Sequence, residues 1–142
     1  MASLLPDSFL KRLTEIFGPA RAREISRTFV ERPTTFRVNT LTSSVDEVLQ
    51  SFAREGFKIQ RVPWSRTAFA LMNRSKRELM KLPEYICGKI YLQSLASQVP
   101  PLALDPKPGE IVLDMTAAPG SKTSQIAAMM NNQGRLVAWE QD

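Results

Sequence analysis

Histidine is absent from this chain, and Cys87 is its only cysteine. A Cys/His zinc site, a Ser-His-Asp triad and a Cys-His pair are therefore excluded within it, and no intrachain disulfide can form. No metal site is expected. No run of about 18 apolar residues occurs, so no membrane span is expected. The N-terminal stretch MASLLPDSFLKRL has no basic start followed by a long apolar run, and does not read as a secretory signal. A reducing, cytoplasmic setting is the default that follows.

What is present is an ordinary globular composition: 142 residues, 43% hydrophobic and 23% charged. The net charge of +5 is unevenly spread. Residues 1–104 carry 16 Lys and Arg against 9 Asp and Glu, net +7, while residues 105–142 carry 3 against 5, net −2. A basic front part suits an anionic polymer such as RNA, or simply a charged, soluble surface.

The pattern along the chain predicts three regions. Residues 1–33 hold two helices. The first, PDSFLKRLTEIF, has Phe9, Leu10, Leu13, Ile16 and Phe17 at helical spacing and stops at Gly18. The second runs to about Arg32, with Ala22, Ile25 and Phe29 on one face and Arg21, Arg23, Arg27 and Arg32 on the other. Pro33 ends it. Residues 34–92 read as β-α-β-β-α-β, a small α+β unit of the ferredoxin-like or RNA-recognition type. In its first strand Phe36 and Val38 point one way, Arg37 and Asn39 the other. Its first helix opens on a capping box of Ser44 and Glu47, and Val45, Val48, Leu49 and Phe52 form its apolar face. FKIQRVPW and AFALM form a hairpin, SKRELMKLP a short helix ended by Pro83, and GKIYLQ the last strand. The basic-Gly-aromatic signature of an RNA-recognition motif is absent.

Residues 93–142 begin with a short helix interrupted by Pro100-Pro101. EIVLDM is a nearly continuous apolar run, as expected of a strand buried on both faces of a parallel sheet. The helix SKTSQIAAMMNNQG follows, with Ile126, Ala127, Met129 and Met130 toward the sheet and Gly134 as its terminator. RLVAWE is the next strand. The unit is the opening β-α-β of a Rossmann-like, doubly wound α/β sheet, left incomplete.

Between that strand and that helix lies LDMTAAPGSKT. Lys122-Thr123 match the end of a P-loop, but Thr116 and Ser121 stand where its two glycines belong. Without them the amides cannot wrap a triphosphate. The dinucleotide fingerprint is missing too. What remains is a tight turn with one permissive Gly120 at a helix N-terminus, which brings backbone amides close to a small ligand. Asp114 either accepts from a ligand ammonium or fixes the loop. Glu140, at the end of the next strand, sits where such sheets place the acid that takes ribose hydroxyls, or is an ordinary exposed acid. An ammonium, a carboxylate and an adenosine ribose together describe S-adenosylmethionine.

DMTAAPGSKT resembles motif I of the Sun family of RNA cytosine-5 methyltransferases, roughly D-x-x-A-A-P-G-[GS]-K-T. FRVNTL is similar to the family's R-x-N entry strand, and GKIYLQSLASQVPPLAL to its G-x-x-x-x-Q-x-x-x-S segment, so the likeness covers about residues 34–142. It implies that Thr116, Ala117, Ala118, Pro119, Gly120, Ser121 and Lys122 form the cofactor loop for S-adenosyl-L-methionine, that Asp114 supports it, and that Glu140 holds the ribose. Lys122 also has a plainer role open to it, capping and solvation at the helix start. Arg37, Asn39, Gln93 and Ser97 match family positions. From the residues alone the first two suit a strand surface, and the last two suit a brace for the helix.

The implied reaction is methyl transfer to C5 of cytosine in ribosomal or transfer RNA. A Cys thiolate adds to C6 and makes C5 nucleophilic, and the base must be unstacked to reach it. The family looks to two cysteines, one after a Pro and one after a Thr, both downstream of motif I. Neither is present, and Cys87, preceded by Ile, is expected to be a small buried hydrophobe. The chain is therefore expected to be the inactive front part of such an enzyme. The alternative is a stand-alone RNA-binding module. The front-part reading also implies self-association through the incomplete sheet.

Overall fold

A computed structural model describes residues 5–30 and 32–141, so residues 1–4, within the N-terminal stretch considered above, Glu31 and Asp142 lie outside the description. The chain forms two compact units, residues 1–32 and residues 33–142.

The first unit is one helical run, α1 (Asp7–Ser26), broken at Gly18, whose φ of 75° and ψ of 163° are not helical. Pro19 then starts the second segment, where its missing N–H costs nothing. That segment ends at Ser26, earlier than its apolar spacing predicts, and Thr28 closes a turn on Ile25. Leu13 and Ala22 are the buried residues of α1. Phe9 meets Phe29 edge to face, with ring centroids 5.4 Å apart.

The second unit begins with four antiparallel strands. They are β1 (Thr35–Val38), β2 (Ile59–Arg61), β3 (Ala68–Leu71) and β4 (Ile90–Leu92), in the order β2-β3-β1-β4. The chain alternates strand and helix as the sequence predicts, with α2 (Val45–Arg54) after β1 and the short α3 (Lys76–Leu79) after β3. Phe36, Val38, Val48, Phe52, Phe69, Leu71, Leu79, Leu82 and Ile90 form the core. Phe36 stacks on Phe69 and tilts against Phe52. Pro83 does not end α3, which stops at Leu79 with Met80 as its cap. Pro83 stands at the first position of another short helix, α4 (Pro83–Ile86), which it is suited to open.

The predicted capping box at Ser44 is half made. Ser44 Oγ accepts from Glu47 N, but the Glu47 carboxylate turns to Ser43 Oγ and Lys89 Nζ. The complete box lies at Ser75 and Glu78, on α3. Cys87 is exposed, not buried, because it caps the C-terminus of α4 at the surface.

The remainder is α5 (Leu95–Leu104), β5 (Ile111–Asp114), α6 (Ser121–Met129) and β6 (Arg135–Ala138). β5 and β6 pair in parallel, Leu113 opposite Val137. Two expectations change here. Pro100 and Pro101 do not interrupt α5, which runs on through both. Pro101 has no N–H for the carbonyl of Ser97, four residues back, and the Gln93 side-chain amide occupies that carbonyl at 3.1 Å. β5 is not buried on both faces: Ile111 is 77% and Leu113 57% exposed. α6 covers one face of the pair, while Val137, Trp139 and Met115 are also exposed. α6 stops at Met129, before Gly134. Gly134 is needed for another reason: at φ 112° an added Cβ would lie 2.4 Å from the Glu110 carbonyl oxygen.

Candidate functional site

The strand-to-helix turn after β5 gathers Asp114, residues 116–122 and Glu140. Asp114 is buried and both of its oxygens are engaged. Oδ1 accepts from the Thr116 amide at 3.2 Å, and Oδ2 accepts from Thr123 Oγ1 at 2.7 Å. One carboxylate thus ties the start of the loop to the first turn of α6. Glu140 reaches back across the strand ends: Oε2 accepts from the Ala118 amide at 2.9 Å, and Oε1 from the Gln141 amide at 3.1 Å. The Ala117 amide donates to the Trp139 carbonyl and the Gly120 amide to that of Ala117. The Ala118-Pro119 peptide is cis, and Gly120 adopts φ 95°.

Gly120 opens the site. A Cβ added there would meet nothing within 4 Å, so the turn faces free space. α6 starts with no capping side chain. The first amides of a helix have no partner within it, so those of Ser121, Lys122 and Thr123 are available to an acceptor. Lys122 is half-buried on this first turn and makes none of the ion pairs found among the described residues.

Beneath the loop lies a buried polar network. Arg37 is 1% exposed, although strand alternation allows it a surface place. Its Nε donates to Gln93 Oε1 at 2.9 Å and its Nη2 to Ser124 Oγ at 2.7 Å. Its guanidinium also lies 5.5 Å from the Tyr91 ring. The Gln93 side-chain amide donates to Gln125 Oε1 at 2.9 Å, and that of Gln125 to the Gln98 carbonyl at 3.0 Å. Burial pulls the Arg37 pKa down to about 10, with Tyr91 opposing the shift, so the group stays charged at neutral pH. Gln93 therefore does brace α6. Tyr91 pairs with Arg37 across β1 and β4, and its hydroxyl donates to the Pro119 carbonyl at 2.9 Å.

Residue spacing pointed to the loop and not to Thr123, Gln125 or Tyr91. Thr123 was visible only as the tail of a false phosphate-loop match. Tyr91 becomes legible once β4 is registered against β1, which places it on the face of Arg37. Nothing in a single sequence marks Gln125 as buried.

The family model for the N-terminal domain of 16S rRNA methyltransferase RsmF matches residues 5–95. The chain belongs to that family. A second model, 16S rRNA methyltransferase RsmB/F, matches residues 101–142 and includes the loop. The ribosomal RNA small subunit methyltransferase F of Vibrio vulnificus strain YJ016 is 41% identical, over 96% of this chain and 30% of its own length. A tRNA (cytosine(49)-C(5))-methyltransferase of Pyrococcus abyssi is 35% identical, over 90% of this chain and 42% of its own. The crystal structure of a methyltransferase homolog from Pyrococcus horikoshii superposes with a TM-score of 0.77 at 41% identity, covering 98% of this chain and 45% of that one. This member of the RsmF family thus spans about a third of the length of the curated relatives it matches.

Proposed function

We propose that this chain is the N-terminal part of an S-adenosylmethionine-dependent RNA methyltransferase acting on C5 of cytosine in ribosomal or transfer RNA. Residues 34–92 serve as its RNA-positioning subdomain and residues 93–142 as the start of its methyltransferase domain. The observation that carries this reading is the loop held from both sides, by Asp114 through Thr116 and Thr123, and by Glu140 through Ala118.

These residues fit the cofactor. The open turn at Gly120 leaves room beside the backbone. The uncapped amides of Ser121, Lys122 and Thr123 suit the amino-acid carboxylate. Each Glu140 oxygen accepts one amide and keeps a lone pair for a ribose hydroxyl. Asp114 spends both oxygens on the loop, so its role is support. When bound, the cofactor supplies a methyl group on a sulfonium. This chain's share is to hold and orient it, because the cysteines of the implied reaction lie outside these residues.

Calorimetry with S-adenosylmethionine is expected to show weak or no binding, since one wall of the pocket is present. Micromolar affinity would overturn that account. Amide NMR at millimolar cofactor is expected to shift the signals of residues 116–118, 120–122 and 140. Shifts confined to other regions would overturn the assignment of these residues.

A further inference from the structure

A cleft of about 370 Å³ lies beside the loop. Its wall is the edge strand β4, and its residues include Lys76, Tyr85, Tyr91, Leu92, Ser97 and Ser121. The volume falls within the roughly 300–1,000 Å³ of small-ligand clefts. Pro119 and Ser121 make it continuous with the cofactor loop.

Its chemistry is mixed in a particular way. Tyr85 and Tyr91 are half-buried and offer ring surface, and Tyr91 is held in place through its bond to Pro119. Lys76 is exposed at the rim and makes none of the ion pairs found among the described residues. Ser97 and Ser121 bring their hydroxyl oxygens within 3.5 Å of each other. β4 pairs with β1 through Tyr91 and its alternate neighbours, so the amide and carbonyl of Leu92 point to the unpaired side of the sheet. The stretch of sequence around Lys76 is one-sided in charge: residues 54–81 hold eight Lys and Arg against two Glu.

We propose that this cleft holds one nucleotide of a single-stranded RNA segment next to the target cytosine, with its base against Tyr85 and Tyr91 and its phosphate at Lys76. The inference rests on the RNA-methyltransferase reading and gives it a named RNA contact. Stacking on aromatic rings tolerates any base, and a lysine at the rim tracks the backbone. The outward Leu92 backbone groups add hydrogen bonds to a base edge. Duplex RNA keeps its bases stacked and cannot enter, so a single strand is the occupant.

The test uses the full chain and a fluorescein-labelled ten-nucleotide RNA carrying 4-thiouridine. Anisotropy measures affinity at several salt concentrations, and ultraviolet cross-linking with mass spectrometry finds the contacts. Adducts are expected in the peptides holding Lys76, Tyr85 or Tyr91. Tyr85→Leu, which keeps an apolar side chain against the core, is expected to weaken binding at least about fivefold. Lys76→Gln is expected to reduce the slope of log affinity on log salt by about 0.7. RNA bound with wild-type affinity by both variants, with adducts elsewhere, overturns the cleft and leaves the RNA reading standing. No binding even at low salt overturns both.

Discussion

Arg37 of β1 donates from Nη2 to Ser124 Oγ in the first turn of α6, at 2.7 Å and across 87 positions of sequence. This bond fastens α6, the helix that follows the loop of residues 116–120, to the antiparallel sheet. Arg37→Ala leaves Gln93 Oε1 and Ser124 without their donor in a buried place. It is expected to cost about 2–4 kcal/mol by urea denaturation. Arg37→Lys keeps the charge but not the forked geometry, and is expected to recover less than half of that loss. Full recovery would show that charge alone matters there.

The loop has its own tether. Thr123→Val removes the hydroxyl that donates to Asp114 Oδ2 and leaves a buried carboxylate short of one partner. A loss of about 1–3 kcal/mol is expected, with faster amide hydrogen exchange at residues 116–118 and 120–122. Unchanged exchange there would show that Asp114 holds the loop through Thr116 alone.

Gly134 is a backbone requirement. Gly134→Ala places a Cβ against the Glu110 carbonyl and the Met130 side chain, at a φ that alanine resists. An expected loss of roughly 2–4 kcal/mol is readable from the urea midpoint. Glu110 and Arg135 flank the contact, so the damage is expected to centre on the pairing of β5 with β6.

Glu78 titrates low. Hydrogen bonds from the Ser75 amide first, then the Ser75 hydroxyl and Arg74, hold its pKa near 2 instead of 4.5. A carboxylate lowered in the folded state stabilises fully above its unfolded value, and the stabilisation is lost as pH falls through the folded one. The α3 capping box should therefore persist at pH 4.5 and weaken progressively toward pH 2. Carboxyl NMR of Glu78 checks the midpoint, and Ser75→Ala should move it upward.

The open face of the parallel pair should associate. Ile111, Leu113, Met115, Val137 and Trp139 expose contiguous apolar surface. Sedimentation velocity is expected to show concentration-dependent self-association, reduced by Leu113→Lys. A monomer at all concentrations would count against it.

Periodicity and capping residues made most elements legible, because each has a local cause: Ser44 before α2, alternation in β1, and an apolar run for β5. The loop was legible for the same reason, since Ala117-Ala118-Pro119-Gly120 is a contiguous turn. Burial was less so. The run Ile111–Leu113 promises a strand covered twice, but an apolar residue specifies only that it can be buried, and the covering layer is a tertiary matter. Pro100 and Pro101 look like breaks because the donor that occupies the Ser97 carbonyl is the side chain of Gln93, just ahead of the helix, and its distant partners Arg37 and Gln125 hold that side chain in place.

The sequence by itself determined the order of the strands and of the longer helices, the turn chemistry around Gly120 and the basic front region. These depend on neighbours within a few positions. Only the tertiary structure decided that Arg37 is buried, that Asp114 at the end of β5 and Glu140 just beyond β6 hold one loop, and that Tyr91 borders a cleft with Ser97 and Ser121. Each depends on the register of β4 on β1 or of β6 on β5, a pairing between distant segments that no local pattern encodes.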